Sequence, residues 1–393
     1  LRKDPPLMAQ RLRQAVKRGT QVLLVDSAAD DPLMPIAARI TTAPSGLPLA
    51  LAQVAVALAQ VKEQPVPAEF AGVTPDENAK LIAASLASGS NVAVLMGNMA
   101  VAAPQAALLA ANARGVADLA GARFGFLTSG GNTVGGYLAG AVPAQGGKTA
   151  AAMLAEPLKA YIVLHAEPSL DADNGPQAVA SLRAAEFAVA LTPYASAAQD
   201  WADVMLPVSP FTETSGTFVN AQGLPQSFKG TVAPLGQTRP AWKVLRVLGN
   251  VLQLQGFEDE TSESVRDTAL AGGIEGRLSN DIKAPRGLGQ AGSALERVAD
   301  VPIYRSDAMV RRAGPLQEAP ASQAPTARMN GATLAGLGLA AGATVRVKGA
   351  TGSIELVAAQ DDAVADRAVR IAAAFEQTAA LGGAFGEISV ERA

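Results

Sequence analysis

The amino-acid sequence predicts doubly wound α/β layers followed by a small β-barrel. Three observations lead there. Short continuous apolar runs alternate with helical segments through residue 254, the cadence of parallel strands buried on both faces and joined by helices. After residue 302 this gives way to short strand-like runs separated by glycine turns, with little helical pattern. The 393 residues are 49% hydrophobic and 17% charged, which supplies apolar surface for two or three domains with cores of their own.

Taken in order, residues 7–18 read as a helix, with Leu7, Met8, Leu12, Ala15 and Val16 on one face, and Gly19 stops it. Residues 21–26 form a short apolar strand. Thr74-Pro75-Asp76-Glu77 reads as a capping box with Pro at the first helical position, opening a helix that runs to residue 88. Strand 91–96, helix 101–114 and strand 122–127 follow. Strands at 160–164 and 187–191 flank a helix at 176–183, and 242–254 is the last strong helix. Residues 256–299 are polar and Gly-rich, a long connection with one helix near 263–270. Beyond it, 344–348, 353–357, 368–371 and 387–391 read as strands, and the Pro/Ala/Gln stretch 315–325 as a loop. The expected domains are 1–115 (α/β, lacking its first strand), 116–257 (a second α/β domain), 258–299 (a linker) and 300–393 (the barrel).

Composition narrows the chemistry. A net charge of −3 makes no case for nucleic acid. The absence of cysteine excludes disulfides, thiolate zinc sites, iron–sulfur ligation and cysteine nucleophiles within this sequence. With one histidine, His165, a multi-histidine metal site needs a partner. The longest apolar stretch, 48–61, is interrupted by Gln53 and Gln60 and falls short of the ~20 residues that span a bilayer. The sequence opens on Leu1-Arg2-Lys3-Asp4, in mid-pattern, and is read as a fragment whose N-terminal portion is missing.

Several motifs invite a functional reading and are better explained by structure. Gly287-Leu288-Gly289-Gln290-Ala291-Gly292 has dinucleotide-fingerprint spacing, with Asp307 beyond it, but Lys283-Ala284-Pro285-Arg286 is no buried strand to lead into it. Gly146-Gly147-Lys148-Thr149 resembles the end of a phosphate loop, yet Val142 stands where the first glycine is required, so a turn opening a helix is favoured. Ser129-Gly130-Gly131-Asn132-Thr133-Val134-Gly135-Gly136 follows a strand, where adjacent glycines serve a ligand or close packing; packing is favoured. His165 ends a strand, with Glu167 and Asp171 near it in sequence, and a structural or solvated role is favoured over acid–base work. Asp361-Asp362 and the basic residues of the first helix read as solvated faces.

The most informative stretch is Phe211-Thr212-Glu213-Thr214-Ser215-Gly216-Thr217-Phe218-Val219-Asn220, followed by Gly223 and Gln226. It resembles the Glu-x-x-Gly-Thr-aromatic-x-Asn-x-x-Gly-x-x-Gln segment of molybdopterin-type oxidoreductases. Ala202-Asp203-Val204-Met205-Leu206-Pro207 fits the same superfamily. Leu1-Arg2-Lys3-Asp4, Gly135-Gly136-Tyr137-Leu138-Ala139-Gly140-Ala141, Trp242-Lys243-Val244-Leu245-Arg246-Val247-Leu248-Gly249-Asn250, Pro302-Ile303-Tyr304-Arg305-Ser306-Asp307-Ala308 and Phe385-Gly386-Glu387 narrow the resemblance to the C-terminal part of the large peripheral-arm subunit of bacterial respiratory NADH:quinone oxidoreductase (complex I).

That resemblance implies two interleaved doubly wound α/β domains of molybdopterin-oxidoreductase type plus a C-terminal β-barrel. It also implies a non-catalytic scaffold within a subunit that takes part in electron transfer from NADH to quinone. The iron–sulfur clusters would lie in a Cys-rich N-terminal part that this sequence lacks. No catalytic or metal residue and no cofactor are expected here. Asn132, Thr217 and Asn220 are vestigial pterin-cleft candidates. Where the enzymes often read Asn-x-Glu-Gly-Arg, this chain has Asn220-Ala221-Gln222-Gly223-Leu224, and leucine lacks the charge-assisted contacts arginine offers to phosphate. The implied partners are other peripheral-arm subunits, without nucleic acid or direct membrane insertion, on the cytoplasmic face of the bacterial inner membrane. Two other readings stay open: an active pterin-dependent oxidoreductase with an oxygen ligand to its metal, and a small-molecule binding module using His165 and Asp171.

Overall fold

A computed structural model describes residues 5–393. The Leu1-Arg2-Lys3-Asp4 start of the resemblance lies outside them. The described residues form two compact units, each assembled from separated pieces of chain. One holds residues 5–127, 280–303 and 324–393, and the other holds 128–279 and 304–323.

The α/β part of the first unit contains β1 (Leu23–Asp26) paired in parallel with β2 (Ala38–Thr41), and β3 (Ala93–Met96) paired in parallel with β4 (Arg123–Phe126). Its helices are α1 (Pro6–Val16), α2 (Leu47–Val61), α3 (Glu77–Ser88), α4 (Asn98–Ala102) and α5 (Ala106–Ala120). Helix α2 is apolar on every side, which marks a helix enclosed by its neighbours. Val54, Val56 and Leu58 are buried on it among five alanines, and the cluster extends to Phe70 and Ile82. The small side chains let α3 and α5 approach α2 closely. Lys62, just past the end of α2, donates to the carbonyls of Leu119 and Ala120 at 2.9 and 3.2 Å. It thereby satisfies the last turn of α5, where a cation also suits the helix dipole.

Three sequence expectations change here. Asp76, not Thr74, caps α3, accepting from the Ala79 N–H at 2.7 Å. The helix therefore starts two residues later than the capping-box reading placed it. The helix expected at 101–114 is two helices, because Pro104 has no N–H to continue α4. The apolar stretch expected at 48–61 begins earlier. A tight turn at Pro44–Gly46 runs into α2, giving an 18-residue helical run, Pro44–Val61, long and apolar enough to cross a membrane by length and composition and mostly buried in this unit.

The second unit is built on the parallel strands β5 (Ala160–Leu164), β6 (Phe187–Thr192) and β7 (Val204–Pro207), in that order. It also holds the antiparallel hairpin β8 (Gly216–Val219) and β9 (Pro225–Phe228). Its helices are α6 (Thr133–Leu138), α7 (Ala150–Ala155), α8 (Pro168–Asp171), α9 (Gly175–Arg183), α10 (Ala241–Val251) and α11 (Ser262–Ala269), with two four-residue helices, α12 (Ala308–Arg311) and α13 (Gly314–Gln317), in the 304–323 segment. One face of the sheet, with Tyr161, Ala188 and Ala190, packs against Leu182, Ala198 and Trp201. On the other face Ile162, Val189 and Val204 lie side by side, and Ile162, Leu164, Phe187 and Val204 are exposed.

The barrel of the first unit is closed and six-stranded. It comprises β10 (Leu295–Val298), β11 (Ala327–Met329), β12 (Thr344–Lys348), β13 (Ser353–Gln360), β14 (Ala368–Arg370) and β15 (Phe385–Arg392), in the order β10-β14-β11-β13-β12-β15. Alternation fills it: Val345, Val347, Leu356, Ala358, Ile388 and Val390 point inward. Two strands of the barrel escaped the sequence reading. β10 lies inside the expected linker and carries Glu296 and Arg297, both buried, where a strand pattern calls for apolar residues. Arg297 Nη1 donates to the Gly382 and Gly383 carbonyls, both at 2.8 Å. β11 is three residues long, too short for a periodic signal.

Helix α10 has a glycine where helix propensity alone would choose alanine. A Cβ at Gly249 would stand 2.2 Å from Cγ of Phe257, whose ring lies across the helix. Alanine gains about 1 kcal/mol of helix propensity, but overpacking costs ~1–3 kcal/mol, and here the clash falls at the base of the ring. Gly249→Ala is therefore expected to lower stability by about 1 kcal/mol, read as a lower urea midpoint for the transition of the second unit.

Candidate functional site

The segment that singled out the sequence folds into the β8–β9 hairpin of the second unit, and the three candidate residues meet there. Asn132 precedes α6, and its Oδ1 accepts the Val219 N–H at 2.8 Å. A Cβ at Gly135 would fall 2.0 Å from that same oxygen, so glycine leaves room for the Asn132 amide. Thr217 faces Ser227 across the hairpin, hydroxyl to hydroxyl, at 2.9 Å. Asn220 Oδ1 accepts from the Gln222 and Leu224 N–H groups at 2.9 and 3.0 Å and shapes the turn. Glu213 accepts the Leu235 N–H at 2.9 Å, and Phe218 and Phe228 meet edge to face. Leu224, where the enzymes often carry arginine, is exposed.

At the C-terminal end of β5 the backbone of His165 turns left-handed, φ +54°, while its N–H donates to the Leu191 carbonyl. Desolvation lowers the imidazole pKa from its ordinary value. Glu167 is buried and holds two arginines from the 304–323 segment. Arg311 Nη1 donates to Oε2 at 2.8 Å, and Arg312 Nη2 to Oε1 at 2.7 Å. Arg311 also reaches Asp171 and the Arg305 carbonyl, and Arg312 lies over the Tyr194 ring at 4.3 Å. Burial alone would raise the Glu167 pKa, but the hydrogen bonds from Arg312 and Arg311 outweigh it and hold the carboxyl below its usual range. Glu167 and Asp171 are thus anchors for the arginines. Arg311 and Arg312 carried no signal in the sequence, since their partners lie some 140 residues away.

The other motifs resolve into packing. Thr149 caps α7 by accepting from Ala152, and Lys148 pairs with Glu156 at 2.6 Å. The loop from Gly287 to Gly292 forms no helix or strand and leads into β10 rather than a helix. Asn112, fully buried on α5, clamps it, donating to the Gly287 carbonyl at 2.8 Å and accepting the Gly287 N–H at 3.1 Å. Beside this loop in the first unit lies a cleft of about 310 Å³, lined by Pro44, Ser45, Gln105, Glu296 and Glu387 among others, and by none of the three candidates. At the end of β1, Asp26 accepts from Thr41 at 3.0 Å and pairs with Arg39 at 3.3 Å. Burial pushes its carboxyl up to about 6, against the lowering by Arg39 and Thr41.

The molybdopterin oxidoreductase family profile matches residues 1–251, more than half of the chain. The chain belongs to the molybdopterin oxidoreductase family. The molybdopterin dinucleotide binding domain of such proteins matches residues 302–388, most of the barrel. Acetylene hydratase from Pelobacter acetylenicus shares the fold over 98% of this chain and 76% of its own, with a TM-score of 0.60 at 13% identity. Among curated relatives, the mitochondrial NADH-ubiquinone oxidoreductase 78 kDa subunit of Candida albicans is 44% identical over 52 residues, 13% of this chain and 7% of that protein. A Staphylococcus aureus protein assigned by name to the formate dehydrogenases is 31% identical over 84 residues, 21% of this chain and 8% of its own length. The matched stretches therefore span less than a tenth of either relative.

The side-chain oxygens of Asn132, Thr217 and Asn220 each take part in hydrogen bonds that hold this corner together. Among the described residues no group of three or more His, Cys, Asp or Glu side chains is gathered for a metal.

Two outcomes test these assignments. Arg311→Met removes one partner of a buried carboxylate and is expected to cost about 3 kcal/mol, with Arg311→Lys recovering part of it, both read by chemical denaturation. Folded Asp26 keeps its proton to about pH 6, whereas an unfolded aspartate releases it near ~4. The folded state then binds more protons between those values, so the contribution is full below the lower value and is lost as pH rises through 6. Asp26→Asn should flatten the stability profile over that window, removing a slope of up to about 3 kcal/mol.

Proposed function

We propose that this chain is the cofactor-free body of the large peripheral-arm subunit of a bacterial NADH:quinone oxidoreductase. In this reading it is a scaffold. It stabilises the cluster-bearing part of the subunit and offers surface to neighbouring peripheral-arm subunits on the cytoplasmic face of the inner membrane, while the iron–sulfur clusters sit in an N-terminal portion outside this sequence. The observation that carries the non-catalytic part is the hairpin. Asn132, Thr217 and Asn220 spend their side-chain oxygens on holding β8, β9 and α6 together. The absence of cysteine, which removes one common type of molybdenum ligand, supports it. The respiratory assignment is supported by the 44% identity over 52 residues to a subunit named for NADH-ubiquinone oxidoreduction.

A second reading, an active pterin enzyme with an oxygen ligand, is favoured by the match over residues 1–251 and by the relative named as a formate dehydrogenase. Metal content separates the two. Purified from cells that make the pterin cofactor, the chain is expected to contain no molybdenum or tungsten by elemental mass spectrometry. Near-stoichiometric metal would overturn the scaffold reading and make the Asn132–Thr217–Asn220 corner an active-site candidate.

A further inference from the structure

A helix N-terminus gathers unpaired N–H groups and the positive end of the helix dipole, and so favours an anion. The helical run Pro44–Val61 is the longest and most enclosed stretch of helix described above, and its first turn opens onto the cleft beside the Gly287–Gly292 loop. The anion already there belongs to the chain. Glu296, on barrel strand β10 and only 7% exposed, reaches over with both oxygens. Oε2 accepts the Ser45 N–H at 2.9 Å and Oε1 accepts the Ser45 hydroxyl at 2.5 Å. That hydroxyl in turn accepts the Gly292 N–H at 2.9 Å, so the three groups form one directed chain ending on the carboxylate. Arg367, the nearby cation, donates to the Gly292 carbonyl at 2.7 Å.

We infer that Glu296 is a built-in anion that occupies the start of this helix and excludes phosphate-bearing ligands from the cleft. A dinucleotide cofactor brings a pyrophosphate, and at this position it would meet a buried carboxylate before any N–H. Glu387 adds a second acidic group to the wall, and no lysine or arginine lines it. The inference rests on the cofactor-free reading and gives it a physical cause in the first unit, away from the hairpin. It also assigns Glu296 more than a packing role: the residue joins the barrel to the α/β part of its own unit with the charge that an exogenous ligand would otherwise supply.

The test is thermal unfolding of the full chain in inorganic phosphate against sodium chloride at matched ionic strength. For the unaltered chain the midpoints are expected to coincide. Glu296→Ala and Glu296→Gln should both melt lower in sodium chloride. Phosphate should restore much of the loss saturably, at concentrations that leave the midpoint of the unaltered chain unchanged. Glu296→Gln keeps the size and one acceptor and carries the test should the alanine variant not fold. Saturable stabilisation of the unaltered chain by phosphate would overturn the inference. So would variants that lose no stability, or that lose it and gain nothing from phosphate, the behaviour of a plain structural contact. Molybdenum measured on the same samples keeps the two ideas apart. Metal-free unaltered protein that binds phosphate sinks only the role of Glu296, whereas metal-loaded protein sinks the scaffold reading itself.

Discussion

The grip of Arg311 and Arg312 on Glu167 is the constraint on which the arrangement of this chain depends. The 304–323 segment lies in sequence between two strands of the barrel, β10 and β11, yet it belongs to the other unit. A short excursion of that kind has little apolar surface to hold it in place. Two guanidiniums on one buried carboxylate, with Asp171 and the Tyr194 ring beside them, supply directional bonds instead. Neither charge can be withdrawn alone without leaving its partner buried and uncompensated. The residues that looked most like an acid–base pair beside His165 are therefore fasteners, and the histidine is left to shape a strand end through a left-handed backbone.

Much of the fold was legible because the strands of the α/β layers are continuous apolar runs and their helices are amphipathic or end on glycine and proline. What escaped notice did so for physical reasons that can be named. β10 carries Glu296 and Arg297 into the interior, where their hydrogen-bond partners come from Ser45, Gly382 and Gly383. No window of sequence around 295–298 contains those partners, so the strand reads as polar connection. The hairpin of β8 and β9 escaped for the opposite reason: its residues matched a family signature so well that their local work went unread. Thr217 opposite Ser227 and Asn220 folding back on Leu224 are turn and cross-strand chemistry that the sequence does display. Asn112 was invisible as a clamp, a lone polar residue in a run of alanine and leucine.

The candidate site was legible in its membership but not in its state. Sequence brought Asn132, Thr217 and Asn220 together as a possible lining, and the fold does gather them around one hairpin. Whether their polar atoms face outward or are satisfied internally depends on rotamers and register, which are set by packing rather than by residue type. The same holds for the Gly287–Gly292 loop. Its glycines match a nucleotide fingerprint, and only the extended backbone beyond them, with Asn112 pinning Gly287, assigns them to close packing.

The sheet of the second unit divides its residues by the surface they answer to. Tyr161, Ala188 and Ala190 face a core that this chain builds for itself. Ile162 and Phe187 sit one position along the same strands, Val204 lies on the neighbouring β7, and all three face out. A polar side chain in their place would uncover little that is now covered, so folding of the isolated chain exerts weak selection on them. A fully parallel sheet is ordinarily sheltered on both sides. Their aliphatic and aromatic character is therefore not accounted for by packing within the described residues, and a comparison of variant tolerance in the test tube with that in the cell would read out, one residue at a time, whether anything besides folding constrains them.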